Sequence, residues 1–180
     1  MRKLYLLVRS IFQRLTHFHD RKSNTLAKPS LQPGQRGERL PDGIIVLRLA
    51  KPSSASSDAP RAHESNFSLS SDDEVSELQS LSVWVIDLTP VKRAREFMGE
   101  LRAQYRMALY LNVNDIRAIR WPSGEVGSPL DVVWDPLPQP DAKGHSGIIG
   151  LKRPPHTERS KYKALRVKLA DLARAELLPD

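Results

Sequence analysis

The chain contains no cysteine among its 180 residues, which removes disulfides, thiolate zinc sites, iron–sulfur clusters and cysteine nucleophiles together. A chain without disulfides is expected in a reducing cytoplasm. Long apolar runs are missing too. Near the start the longest is Leu4 to Val8, cut by Arg9, too short for a signal-peptide core and far below the roughly 20 residues that span a bilayer. Hydrophobic residues make up 39%, below the roughly 45–50% of average globular chains, so part of the length is expected outside any core. Neither a GxGxxG nor a GK[ST] phosphate loop occurs, which excludes nucleotide binding through those devices. Ser146 follows His145 but lacks the Gly-x-Ser-x-Gly elbow that would expose a nucleophilic hydroxyl.

What is present is a charge excess of +7, and its distribution says more than its size. Residues 1–51 carry a net +8, 52–80 a net −5, 81–151 are neutral and 152–180 carry +4. An electrostatic partner would therefore meet the two ends first. From Leu4 to Phe18 the apolar residues Leu4, Leu7, Val8, Ile11, Leu15 and Phe18 recur as one helical face, with Arg2, Lys3, Arg9 and Arg14 outside it. The spacing predicts an amphipathic helix over residues 1–20. It would pack on this chain's own core, lie on a membrane surface, act as a transit peptide or dock a partner. His17, His19 and Asp20 resemble a metal clasp only in composition, because residues two apart on a helix point in different directions.

Residues 21–76 read as a mostly flexible linker. Pro29, Pro33, Gly34, Gly37, Pro41 and Gly43 are turn chemistry, and Lys51 to Asp73 is Ser-rich and too polar to offset the entropy of ordering it. Within that stretch Ile44 to Leu49 reads as a strand.

A globular α+β domain is expected over residues 77–178, with a small mixed sheet of about three to five strands packed by two main helices. Leu81 to Leu88 is almost continuously apolar and predicts a central strand buried on both faces. Thr89 as N-cap and Pro90 at the first helical position predict a helix over about 90–106, with a seam at Val91, Ala94, Met98, Leu101 and Tyr105. Met107 to Leu111 fits the end of that helix or a strand. Asn114 starts a short helix, Leu130 to Trp134 reads as a strand, and His145 to Leu151 as a weaker one, since Gly147 and Gly150 have no side chain to pack. Thr157 caps a final helix running to about 177, with Leu165, Leu169, Leu172 and Ala173 as its stripe.

Asp131, Asp135 and His145 form the one close group of acid, base or metal-ligand types in the second half, and a strand would put both aspartates on one face. Such a set could hold a divalent cation for hydrolysis, although Asp135-Pro136 is also ordinary turn chemistry. The order LSVW, a helix, DIRAI, DVVWDPLPQP and HSGII over Leu81 to Leu151 resembles a group of small bacterial accessory proteins with no assigned activity. The resemblance implies a setting such as a mobile-element, toxin–antitoxin or phage-defence gene cluster.

The leading expectation is a non-enzymatic interaction or regulatory protein that docks a protein partner and needs no cofactor or metal. The first alternative is nucleic-acid binding through the basic ends, by Arg2, Lys3, Arg9 and Arg14 with Lys161, Lys163, Arg166 and Lys168. The second is a metal-dependent hydrolase at Asp131, Asp135 and His145.

Overall fold

The computed structural model describes residues 31–52, 60–152 and 155–179. The helix expected at Leu4 to Phe18, and Arg2, Lys3, Arg9 and Arg14 with it, lie outside them. Six strands form one open sheet: β1 (Ile45–Ala50), β2 (Leu81–Val85), β3 (Met107–Asn112), β4 (Asp131–Trp134), β5 (His145–Ile149) and β6 (Arg174–Leu177). Their order is β4-β5-β2-β1-β3-β6, and every pairing is antiparallel. The expected sheet of three to five strands is thus one strand larger and antiparallel rather than mixed.

Apolar residues alternate along the strands onto two covered faces. Val46, Val83, Val85, Leu109, Leu111, Val132, Trp134 and Ile148 form one core with Phe67, Ile116, Leu165 and Leu169. The last three belong to α3 (Val113–Ala118) and α4 (Arg159–Leu172), which cover that face. Leu47, Leu49, Trp84, Ala108 and Tyr110 form the opposite core under Ala94 and Leu178. β2 is central and buried on both sides, as its continuous apolar run predicts.

The strand read at 44–49 is β1. It lies between β2 and β3, so the sheet reaches well before residue 77. The Ser-rich connection from β1 to β2 carries more order than its composition suggests. A single-turn 3-10 helix at Glu64–Phe67 has a capping box built by His63 and Asn66, and Phe67 is fully buried. α1 (Ser71–Val75) has a second capping box, in which the Asp73 carboxylate accepts from the Ser70 backbone N–H and hydroxyl. The other Asp73 oxygen accepts from the Ser82 hydroxyl at 2.9 Å and ties α1 to β2. β1 and β2 diverge after Leu47 meets Trp84, and beyond that point the Ser82 carbonyl accepts from Arg48 instead of a strand amide.

The helix expected over 90–106 breaks. α2 is Val91–Glu96, Gly99 takes φ 53° in the left-handed region, and a 3-10 segment follows at Gly99–Gln104. Leu101, placed in the apolar seam, is half exposed as a result. Pro90 rather than Thr89 is the N-cap, and the Thr89 hydroxyl is buried without a hydrogen-bond partner. The final helix also ends early, at Leu172, and the chain then turns to form β6. Tyr162 takes the place in the apolar stripe expected of Leu172, which is exposed.

Candidate functional site

Asp131 and Asp135 stand on β4 and just beyond it, the outermost strand at one end of the sheet. Each is occupied by arginine. Asp131 Oδ1 accepts from Arg117 Nε at 2.6 Å, and its Oδ2 lies 2.6 Å from Arg39 Nε. Arg117 also pairs with Asp42 and donates to the Leu40 carbonyl at 2.8 Å. Burial opposes ionisation of Asp131. The Arg117 hydrogen bond, the Val132 amide and the Arg117 and Arg39 charges outweigh it and hold the carboxyl below its ordinary range. Asp135 lies 2.8 Å from Arg36 Nε, and Arg36 reaches Glu77 as well.

His145 is buried on the neighbouring strand, its ring edge-on to Trp84 at 4.9 Å between centroids. Its Nδ1 is 2.7 Å from the Asp135 main-chain carbonyl, and since a carbonyl only accepts, Nδ1 carries the proton. Burial pushes its pKa below the ordinary histidine value, and the Asp135 carbonyl and the charges of Asp135 and Asp73 only partly counter that. Asp135 and His145 are adjacent, with 3.8 Å between Oδ2 and Nδ1, whereas Asp131 stands at the other end of β4 opposite Ile149; both carboxylates are paired with arginines and His145 Nδ1 with backbone. Among the described residues no group of three or more His, Asp or Glu is arranged to share a metal ion.

What the two aspartates do is visible in the backbone beside them. Residues 37–40 run along the outer side of β4. Gly37 N–H donates to Trp134 O at 2.8 Å, Trp134 N–H to Glu38 O at 2.8 Å, and Leu40 N–H to Val132 O at 3.0 Å. Arg36, Arg39 and Arg117 clamp that segment down through Asp135, Asp131 and Asp42. Gly34 lets the segment close: a Cβ there would come within 2.3 Å of the Trp134 ring. The stretch read as linker chemistry thus closes one edge of the sheet.

The three candidate lysines of α4 are also engaged. Lys161 Nζ is 2.6 Å from Glu125 and 4.0 Å from the Trp121 ring centroid, Lys163 is 3.5 Å from Glu64, and Lys168 donates to the Arg120 carbonyl. Arg166 has its Nε buried without a hydrogen bond. Three of these four cations are therefore tied to neighbours on the surface of the fold.

The opposite edge of the sheet is different. β6 pairs with β3 on its inner side, and among the described residues no strand lies outside it. Leu178 N–H donates to Arg106 O at 2.8 Å, which fixes the alternation: Arg174 and Glu176 turn their backbone groups to β3, while Ala175 and Leu177 turn theirs outward. The side chains of Arg174 and Glu176 flank Tyr110. The Arg174 guanidinium lies 4.6 Å from the ring centroid. Burial raises the Tyr110 pKa first, and the Glu176 charge and hydrogen bond raise it further. Leu177 is 55% exposed and Leu172 42%, so large apolar side chains border this edge. Sequence reading missed the strand entirely, because Arg-Ala-Glu-Leu is helix-forming composition. No family model, curated protein or solved structure matches the chain.

Proposed function

We propose that this is a non-enzymatic interaction protein that docks a protein partner by adding a strand to the outer edge of β6. The observation that carries the reading is the unequal treatment of the two sheet edges. β4 is hydrogen-bonded along its length by residues 37–40 and clamped by three arginines. β6 presents the outward N–H and C=O groups of Ala175 and Leu177 with exposed Leu172 and Leu177 alongside. An open edge is a template for another strand.

Ala175→Pro tests the reading. The amide it removes points away from β3, so proline is compatible with the edge strand while the outward donor is lost. Immobilised native chain is expected to retain protein, further copies of itself included, that the variant of unchanged thermal midpoint releases. Equal retention by both proteins contradicts the proposal.

A further inference from the structure

Resting on that reading, we infer that the β6 edge is built to receive a second copy of the same chain, paired antiparallel about Ala175. The argument is one of register. A strand pairing with its own copy across a two-fold axis must place one residue opposite itself or centre between residues, and alternation of hydrogen bonds restricts the choice. Ala175 and Leu177 carry the outward backbone groups. Centring on Ala175 makes it a hydrogen-bonded pair with itself and sets Arg174 opposite Glu176 of the second copy, twice over. Centring on Glu176 sets glutamate against glutamate, and centring on Arg174 sets arginine against arginine. Centring on Leu177 sets Glu176 opposite Leu178. Like charges directly opposite are destabilising and opposite charges favourable, and of the four registers only the first sets Arg174 against Glu176. In that register Leu177 meets Ala173 of the second copy, next to the exposed Leu172. A foreign strand would need its own complementary charges, whereas this one carries both.

Four residues on each chain are a small contact, well under the roughly 1,200 Å² of a standard interface, so the pairing is of the weak, concentration-dependent class. The product would be a continuous sheet across two chains, closed at both far ends by residues 37–40.

Sedimentation equilibrium from micromolar to near-millimolar concentration tests this with four chains: native, Ala175→Pro, Glu176→Arg, and the swap Arg174→Glu with Glu176→Arg. The native chain is expected to dimerise reversibly. Glu176→Arg converts two attractive pairs into two repulsive ones and should weaken the dimer about tenfold, and the swap should restore it. Ala175→Pro should remain monomeric. A native chain that stays monomeric throughout overturns the inference, leaving edge docking to be judged by the capture experiment. A dimer lost in Ala175→Pro but indifferent to the charge variants overturns the register and keeps the edge. A dimer indifferent to all of them overturns both.

Discussion

His145 shows how a residue type that suggests chemistry can be held for packing. Its imidazole donates to the Asp135 carbonyl, leans on Trp84 and is kept neutral by burial. The stability consequence has a definite sign. Because the folded pKa lies below the ordinary value of 6.5, the unfolded chain takes up the proton first as pH falls. The contribution is complete above 6.5 and is lost as pH drops through that value toward the depressed folded one. Each unit of depression is worth about 1.4 kcal/mol. His145→Asn keeps a side-chain N–H for the Asp135 carbonyl and removes the titration. Urea midpoints measured below neutral pH should therefore fall less steeply with acidification in the variant, and equal slopes would contradict this account. Asp131 acts lower on the scale by the same logic: its stabilising pairs with Arg117 and Arg39 persist above the ordinary aspartate range and are lost as acid protonates it. The sequence grouped Asp131, Asp135 and His145, but the arginine partners of the two aspartates lie far along the chain, at 36, 39 and 117, and no local spacing reveals them.

Among elements, strands of β-branched and aromatic residues were legible and junctions were not. LSVWV and DVVW form strands because continuous apolar runs suit a sheet covered on both faces. MALYL was ambiguous by itself, and pairing with β1 and β6 decides it. β6 is the extreme case, since its residues favour helix and only the β3 ladder makes them a strand. The helix break at Gly99 did have a visible signal, the glycine itself, which the regular apolar spacing overrode. The connection between β1 and β2 looked too polar to order, yet one aromatic and two capping boxes anchor its described part. Phe67→Ala should accordingly cost about 3–5 kcal/mol in chemical denaturation, the range for emptying a fully buried aromatic site. A loss within a few tenths of a kcal/mol would mean that the connection is not held by its aromatic anchor.

At the scale of the whole molecule, Asp131 and Asp135 and residues 37–40 of the stretch that looked like a linker form one device, a clamp that closes the β4 edge of the sheet. Its counterpart is the β6 edge, outside which no strand lies among the described residues, and the contrast between them supports an interaction role. The sheet arrangement was legible only in part, because edge status depends on which distant segment runs alongside a strand. Hydrogen–deuterium exchange at single-residue resolution tests the central claim most directly. The account predicts that the Ala175 and Leu177 amides exchange freely in dilute native chain and become protected as concentration rises, while Arg174 and Glu176, bonded to β3, stay protected throughout. Protection of all four amides that is already complete at dilution, or exchange at Ala175 and Leu177 that never slows with concentration, would contradict it.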